Sequence, residues 1–436
     1  MAKRILWLGL IGQAMYLSVV WAAVAQDLER YPESSSLKGL QVQMVDDALE
    51  LGIGQAALNF NFGQLLAPEG VGRDEPRYVQ VRRGAEEFAF QRAYLEQLDA
   101  MIRPLSDRGV VVSLILLNYV PEAADKRRIL VHPDYSAACP NHLAAFNTRT
   151  EEGKAWLEAA VELLAQRWGT AGSGHGRVWN WIVGNEVNSH WFWCNQGRVG
   201  MRSFADDYLQ AVRLVQRAVN RHSPQGRVFL SLEHHWNARY AGGDDQQTFP
   251  ARDFLEYFAA RAREQGDFAW HVAFHPYPEN LFEPRTWLDR SATGDWRTTP
   301  RITFRNLEVL LDFLRQPELQ FAGETRRVIL SEQGFHTPAG DDGERLQAAA
   351  YCYAWKKVHT IQGIDAFILH RHVDHAQEGG LRLGLWTRGS ESISEPASKK
   401  LIYDVFAAAG TTREEDAFRF ALPIIGISDW SELIRQ

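Results

Sequence analysis

Two short apolar runs in the sequence each end in a carboxylate. Residues 179–183 lead to the pair Asn185-Glu186, and residues 327–331 lead to Glu332. A buried strand rarely ends in a carboxylate unless that group has a partner or a chemical task. Two carboxyl groups that face each other can divide acid–base and nucleophilic roles, which is the chemistry that cleaves a glycosidic bond. Because the two glutamates are far apart in sequence, only a fold that gathers the ends of strands could bring them together.

Other segments with strand character also end in polar or aromatic side chains. His275 and Tyr277 are two residues apart, so they point to the same side of an extended strand. Further candidates for contact with a substrate are Asn118, Trp236, His370, His372 and Trp386. Each of these residues alone could be a structural cap or part of an ion pair. Their joint occurrence at strand ends favours a functional rim.

The elements that must position these residues alternate between strand and helix patterns. The predicted strands are residues 39–43, 55–61, 109–118, 178–187, 227–236, 268–277, 327–332 and 364–370. The predicted helices are residues 45–51, 86–107, 154–168, 204–219, 254–264, 306–314, 345–358 and 398–408. The almost continuous apolar character of residues 109–118 is typical of a strand buried on both faces of a parallel sheet.

Eight such units predict an α/β fold of the (β/α)8 TIM-barrel type, in which the carboxyl ends of the strands carry the active site. The alternative is an open, doubly wound sheet. The sequence argues against it, because no Gly-x-Gly-x-x-Gly follows the first predicted strand and no Walker A pattern is present.

The chain divides into one domain with extensions at both ends. Residues 1–25 resemble a signal peptide, with Lys3 and Arg4 before an apolar centre and a small-residue cleavage site at residues 23–25. We expect residues 26–37 to be an N-terminal extension, residues 38–408 the barrel, and residues 409–436 a C-terminal extension packed on it. The prediction is a secreted protein, periplasmic or extracellular, without stable membrane insertion after cleavage.

The composition narrows the class of partner. The chain has 436 residues and a net charge of −7, which makes it a poor candidate for binding nucleic acid. Its 15 tryptophans could provide surfaces for stacking sugar rings or could cover the outside of the barrel. Of the three cysteines, Cys139 and Cys194 could form a disulfide, whereas Cys352 lies in a helical pattern typical of a buried thiol.

Asn185-Glu186, His275-x-Tyr277 and Glu332, in this order along the chain, resemble the clan A glycoside hydrolases over residues 38–408. Residues 275–282 and 380–386 resemble a narrower group, the bacterial secreted domain-of-unknown-function family 5722.

This resemblance implies hydrolysis of O-glycosidic bonds in a poly- or oligosaccharide by a retaining mechanism. It implies that Glu186 is the acid/base and Glu332 the nucleophile, and that neither a metal nor another cofactor is needed. Asn185 would bind the 2-hydroxyl group of the sugar, Tyr277 would orient Glu332, and His275 would line the same subsite.

The sequence also departs from the clan pattern. Asn59 stands where clan members commonly have an arginine, and His370 and His372 stand where they commonly have a tryptophan. Trp386 could reach into the site from the following loop.

Two other functions remain open at this point. One is a carbohydrate-binding barrel that has lost catalysis. The other is a metal-dependent barrel hydrolase that uses the pair His370-x-His372 as ligands. The sugar, the linkage, and endo or exo action have no sequence signature here.

Overall fold

The computed structural model describes residues 30–34, 36–68, 70 and 75–434. The predicted signal peptide at residues 1–25 lies outside this part of the chain. Among the described residues, none of the helices combines the length and the apolar character that crossing a bilayer requires.

Eight parallel strands close into a barrel, which confirms the predicted fold. In the described residues the strands are β1 (Lys38–Gln41), β2 (Gln55–Asn61), β3 (Tyr78–Arg83), β4 (Glu86–Gln91), β5 (Val111–Leu117), β6 (Asn180–Val183), β7 (Arg227–Glu233), β8 (Trp270–His275), β9 (Val328–Gln333), β10 (Ile364–Leu369), β11 (Trp386–Arg388) and β12 (Pro396–Lys399). The barrel order is β1-β2-β5-β6-β7-β8-β9-β10, and β10 pairs with β1 to close the ring. The antiparallel pairs β3–β4 and β11–β12 are additions to the barrel.

Helices follow most barrel strands and cover the outside. They are α1 (Val45–Glu50), α2 (Phe62–Leu65), α3 (Arg92–Asp107), α4 (Ala124–Leu130), α5 (Glu151–Leu164), α6 (His190–Trp193), α7 (Met201–His222), α8 (Ala251–Glu264), α9 (Glu308–Leu314), α10 (Gly343–His359), α11 (Leu401–Ala408), α12 (Glu414–Phe418) and α13 (Ala421–Ile425). A single π-helical turn, Ala165–Gly169, extends α5. Short 3-10 turns occur at Val187–Ser189, Thr286–Leu288, Phe304–Asn306, Pro317–Leu319 and Trp430–Ile434.

Alternation along each strand separates an inner layer of side chains from an outer one. The inner layer is a compact apolar cluster that includes Ala57, Ile115, Ile182, Phe229, Ala273, Ile329 and Ile368. The outer faces pack under the helices in a much larger cluster. Inner residues near the carboxyl end of a strand therefore face the barrel mouth, and this rule decides which polar groups can meet there.

Two predicted helices were partly wrong. Residues 86–107 do not form one helix, because Glu86–Gln91 is strand β4 and α3 begins only at Arg92. In the sequence Glu-Glu-Phe-Ala-Phe-Gln, Phe88 and Phe90 are two residues apart and so share one face of a strand. All six residues pair antiparallel with β3, and this long-range pairing prevails over the helical spacing. The predicted helix at residues 398–408 likewise begins later, at Leu401, because β12 extends to Lys399.

The C-terminal segment packs against the outer helix α10. Nε1 of Trp355 donates a hydrogen bond to Glu414, and the ammonium group of Lys356 lies 2.6 Å from the same carboxylate. Phe418 and Trp430 stack edge to face beside Lys356. This segment therefore lies on the flank of the barrel and contributes no group to its mouth through these contacts.

Candidate active site

Glu186 reaches the mouth through an unusual backbone conformation. After β6 ends at Val183, Gly184 has φ of 74° and Glu186 has φ of 40° with ψ of 53°, a left-handed conformation that is rare for residues other than glycine. The backbone N–H of Glu186 donates to Oγ of Ser231 on the neighbouring strand at 2.9 Å. Strained residues that are held this firmly cluster at functional sites.

The turn after Glu186 is fixed from β7 by Glu233. Nδ2 of Asn188 donates to Oε1 of Glu233 at 2.7 Å, and the backbone N–H of Glu233 donates back to Oδ1 of Asn188 at 3.0 Å. Ser189 Oγ also donates to Oε1, while the backbone N–H of His235 donates to Oε2 and His235 Nδ1 lies 2.6 Å from it. Both oxygens of this buried carboxylate are therefore occupied. Burial raises its pKa, but the charge and hydrogen bonds of His235 outweigh burial and lower the pKa of Glu233 to about 2.

A β-bulge delivers Glu332 to the same place. Ile329 belongs to the inner layer, so strict alternation would turn Glu332 away from the barrel interior. Strand β9 has one extra residue relative to β10, because the flanking pairs are Leu330 with Phe367 and Gln333 with Leu369. Bulges of this kind re-aim side chains and are common beside active sites.

At the mouth, Glu332 is held by one side chain from β1 and one from the segment that follows β8. The hydroxyl group of Tyr277 donates to Oε1 of Glu332 at 3.1 Å, and Nε2 of Gln41 donates to Oε2 at 3.3 Å. Glu332 remains partly accessible, unlike the closed Glu233. The partners hold the carboxylate in place and leave one side open to the mouth.

The two glutamates meet across His275. Nδ1 of His275 lies 2.9 Å from Oε1 of Glu186, and Nε2 lies 3.0 Å from Oγ of Ser331. One oxygen of Glu186, one nitrogen of His275 and one oxygen of Glu332 all lie within 4.8 Å of one another. The side chain of Glu186 is 12% exposed, so the pair is sheltered but reachable.

The two carboxyl groups ionise differently. Burial and the negative charge of Glu332 raise the pKa of Glu186, although the hydrogen bond from His275 opposes them. Burial also acts on Glu332, but the positive charges of His370 and His275 and the hydrogen bond from Tyr277 outweigh it and lower the pKa of Glu332. Burial lowers the pKa of His275, yet its hydrogen bond to Glu186 and the nearby carboxylates raise that pKa overall. Neighbouring carboxyl groups with opposite pKa shifts are suited to acid and nucleophile roles.

Among the remaining candidate residues, Asn185 differs from Asn118 and Trp236 in its partners. Asn185 is half-buried beside Glu186 in the sequence, and its amide makes no hydrogen bond to the described residues. Asn118 and Trp236 are buried structural residues: Asn118 donates to the carbonyls of Leu130 and Ala145, and Trp236 donates to that of Trp296. Trp236 is fully buried and has no surface to offer a sugar, in contrast to its predicted role.

His370, His372 and Trp386 turn to different partners. Nε2 of His370 lies 2.9 Å from Glu378, whereas Nε2 of His372 lies 2.8 Å from Asp47. Nε1 of Trp386 donates to the same oxygen of Asp47 at 3.2 Å. His370 is thus part of the Glu332 environment, while His372 and Trp386 together fix Asp47 of α1.

Several functional neighbours were not found from the sequence: Gln41, Ser231, Ser331 and Glu378. Gln41 ends β1, so its position at a strand end was an available signal. Tyr119 follows β5, as expected for a residue at the rim. Tyr119 is 41% exposed, and burial together with the negative charge of Glu332 raises the pKa of Tyr119. Glu378 lies in a loop, where no periodic pattern predicts its orientation.

A cavity of about 360 Å³ opens beside Gln41, the residue that also donates to Glu332. Its polar wall includes Asn59, Gln43, Arg371 and Ser394. Its apolar wall comes from Val42, which follows β1, and from residues of β2 and α3. Of the described aromatic residues, Tyr119, Tyr240 and Phe282 are exposed, whereas no described tryptophan is. The tryptophans therefore mainly support the barrel, and tyrosine and phenylalanine supply its exposed rings.

The cysteines and metal-ligand sets bear on the other open predictions. Cys139, Cys194 and Cys352 are buried and unpaired, so the possible disulfide is not formed. The described residues contain two sets that could chelate a metal ion, Glu186–His275–Glu332 and Glu233–His234–His235. Neither contains His370 or His372, the pair on which the metal-dependent prediction rested.

The fold resembles solved barrels from glycoside hydrolases. A family 39 glycoside hydrolase from Bacteroides cellulosilyticus WH2 is similar over 89% of this chain and 65% of its own, with a TM-score of 0.54 at 14% identity. A hyperthermophilic β-glucosidase from Pyrococcus furiosus is similar over 87% and 86%, with a TM-score of 0.53 at 14% identity. A glucosidase from Croceicoccus marinus is similar over 88% and 67%, with a TM-score of 0.52 at 13% identity.

These likenesses define the class of fold, a (β/α)8 barrel of the type that those hydrolases share. The model of a family of unknown function (DUF5722) matches residues 30–433, so the chain belongs to that family. No curated protein matches the sequence.

Proposed function

We propose that the protein is a secreted retaining glycoside hydrolase. Glu332 is the nucleophile, Glu186 is the acid/base, and the substrate is a poly- or oligosaccharide. The single observation that carries this proposal is the approach of the two carboxylates within 4.8 Å at the barrel mouth. Retaining enzymes place their carboxyl groups about 5–5.5 Å apart, whereas inverting enzymes need a wider gap to admit a water molecule.

The electrostatics support the same division of roles. A nucleophile must be ionised, and the pKa of Glu332 is lowered because His370, His275 and Tyr277 outweigh the effect of burial. A general acid must hold a proton, and the pKa of Glu186 is raised chiefly by burial. The solved relatives described above as glucosidases and as a family 39 hydrolase support carbohydrate as the class of substrate.

The proposed reaction has two steps. In the first, the Glu332 carboxylate attacks the anomeric carbon while Glu186 gives its proton to the departing glycosidic oxygen, which forms a glycosyl ester on Glu332. In the second, Glu186 takes a proton from water, the water oxygen attacks the same carbon, and Glu332 leaves as a carboxylate. Two inversions give net retention, and Glu186 ends with the proton that it needs for the next cycle.

Neighbouring side chains have supporting roles in this proposal. The free amide of Asn185 binds the sugar 2-hydroxyl, an interaction that strengthens in the transition state. Tyr277 orients Glu332 through its hydroxyl group, and His275 positions Glu186 through Nδ1. Secretion rests on the sequence of residues 1–25, and comparing the mass of the exported protein with that of the full chain tests it.

The central test is a panel of nitrophenyl and dinitrophenyl glycosides together with natural glycans. We expect hydrolysis of at least one, with retained anomeric configuration by NMR. The matching 2-deoxy-2-fluoro glycosyl fluoride should add its sugar mass to the peptide that contains Glu332. The control variant Glu96→Gln changes an exposed carboxyl group on α3 and should behave as wild type.

The same panel separates the alternatives. Inverted product, or an adduct on another peptide, would refute the assigned mechanism. Sugar binding without hydrolysis would favour a non-catalytic carbohydrate-binding barrel. Activity that a chelator abolishes and added metal restores would favour the metal-dependent hydrolase, since Glu186, His275 and Glu332 could also serve as ligands.

A further inference from the structure

The contacts of Glu332 continue into a chain of hydrogen-bonding groups. Nε2 of Gln41 lies 3.3 Å from Oε2 of Glu332, and Oε1 of Gln41 lies 2.5 Å from Nδ1 of His370. On the other side of the ring, Nε2 of His370 lies 2.9 Å from Oε1 of Glu378. We name Gln41, His370 and Glu378 the relay; they come from β1, the end of β10 and the loop beyond it.

Donor and acceptor counting fixes the state of the imidazole. The ionised Glu332 only accepts hydrogen bonds, so the amide of Gln41 must turn its N–H towards Glu332 and its oxygen towards His370. Nδ1 of His370 must then carry a hydrogen. Nε2 of His370 faces the carboxylate of Glu378 and must carry a hydrogen too. The ring is therefore a doubly protonated imidazolium. The reverse amide orientation would direct the oxygen of Gln41 at a carboxylate.

The charges around the ring agree with this count. Burial raises the pKa of Glu378, but hydrogen bonding and charge from His370 and the charge of Arg371 outweigh burial and lower that pKa to about 2. Arg371 also donates to the oxygen of Glu378 that faces His370. Two cations thus surround one anion, which leaves a net positive charge beside Glu332.

We propose that Gln41, His370 and Glu378 act as positioning residues that hold a positive charge near Glu332 and keep it an ionised nucleophile. This inference rests on the proposed function of Glu332. Glu378 stabilises the imidazolium, His370 carries the charge, and the amide of Gln41 links it to the carboxylate and fixes the rotamer. His370 does not contact the reacting atoms in this arrangement.

Other groups that face His370 do not replace its charge. Gln41 of β1 is neutral, and Glu332 of β9 and Glu378 are anions. Within the same loop, Arg371 is already bonded to Glu378. Burial and the charge of Arg371 lower the pKa of His375, which favours its neutral form. On the far side of Glu332, the positive charge of His275 also lowers the pKa of Glu332, but His275 makes its hydrogen bond to Glu186.

The first experiment needs no substrate. In the full protein with 15N-labelled histidine rings, the His370 signals are assigned by their loss in His370→Asn. We expect each ring nitrogen of His370 to carry a hydrogen, and one of them to lose it in Glu378→Gln. With 13C-labelled glutamate, ionisation of Glu332 should require a higher pH in His370→Asn than in wild type. A neutral His370 ring in wild type, or an unchanged Glu332 titration, would overturn the proposal.

The second experiment is the pH dependence of kcat/KM on the glycoside that the panel identifies. His370→Asn should move the acidic limb to higher pH, because burial of Glu332 is then less opposed. The decrease in kcat/KM should be on the order of tenfold at the acidic end of the pH profile and much smaller at the alkaline end. His375→Asn is the matched control in the same loop and should leave the acidic limb in place.

A purely structural role for His370 predicts a different result, an equal loss at every pH. That outcome would refute the relay. If no glycoside is hydrolysed, the proposed function fails, while the two NMR measurements still decide whether the relay exists. If His370→Asn does not fold, Glu378→Gln gives the same two readouts with a change of smaller volume.

Discussion

Two clusters of glutamate and histidine lie side by side at the barrel mouth, and they differ in how fully their hydrogen-bonding capacity is used. Glu233 accepts from four groups through both oxygens and is 6% exposed. Glu332 accepts from two side chains, and Glu186 is held by one histidine. Both Glu186 and Glu332 remain accessible. A glutamate at a strand end is therefore not a catalytic candidate by its residue type alone. A better criterion is a carboxyl group that is accessible and has acceptor positions without a hydrogen-bond donor.

The same contrast explains the electrostatics. In the cluster of Glu233 and His234, which we call the filled cluster, each group has one stable ionisation state. The pKa of Glu233 falls to about 2, and that of His234 falls to about 4. Burial leads the causes for both, but it is outweighed at Glu233 and dominates at His234. In the cluster of Glu186, His275 and Glu332, which we call the open cluster, the pKa of Glu186 is raised and the pKa of Glu332 is lowered. The first cluster supports the turn that carries Glu186, and the second has groups ready to exchange a proton.

The largest expected effect is on catalysis at the open cluster. Glu332→Gln should reduce kcat on the order of 10⁴-fold, because an amide cannot form the glycosyl ester. Its thermal midpoint should stay near that of wild type, since the amide has nearly the same size and its oxygen can still accept one of the two hydrogen bonds, from Tyr277 or from Gln41. The measurements are the rate of hydrolysis of the best glycoside and the thermal unfolding midpoint of the variant. Residual activity above a few per cent of wild type would show that Glu332 is not the nucleophile.

The next effect is on stability at the filled cluster. Glu233→Gln should lower the free energy of unfolding by about 3 kcal/mol at pH 6, because the folded pKa is depressed from 4.5 to about 2. A depressed carboxyl pKa contributes stability above the unfolded pKa and loses it as the pH falls through the folded pKa. The difference between wild type and variant should therefore shrink between pH 4.5 and pH 2. Denaturant unfolding across this range checks it, and a difference independent of pH would contradict it.

A smaller loss is expected at the unoccupied amide of Asn185. Asn185→Ala should reduce kcat/KM on the order of 100-fold for a sugar with a 2-hydroxyl group, through an interaction made mainly in the transition state. The same variant should lose little against the 2-deoxy analogue, which has no such group to bind. Stability should change little, since no described hydrogen bond of the side chain is removed. Equal losses on both substrates would assign Asn185 another role.

The smallest effect tests the left-handed turn. Ser231→Ala removes the acceptor of the Glu186 backbone N–H and should lower the free energy of unfolding by about 1 kcal/mol. Because Glu186 would be less well fixed, activity on a glycoside with a poor leaving group should fall more than activity on a dinitrophenyl glycoside. An unchanged ratio between these two substrates would mean that Ser231 does not position the acid.

The sequence alone determined the barrel and the places where its chemistry could lie. Apolar runs separated by helical patterns specify eight strands, and alternation identifies the inner residues near their ends, including His275 and Tyr277. These features are local, so they can be read from short stretches of chain. The same local pattern was ambiguous at residues 86–91, where pairing with β3 was the deciding factor.

Only the tertiary structure decided which side chains at the strand ends reach the barrel mouth and which partners they contact there. The bulge in β9 that turns Glu332 inward depends on the register with β10, and the left-handed conformation of Glu186 depends on support from the neighbouring strand. Burial of Trp236 and the contact of Gln41 with His370 likewise depend on residues far away in sequence. Register and long-range contacts arise from the packing of the whole barrel, and so no single stretch of sequence encodes them.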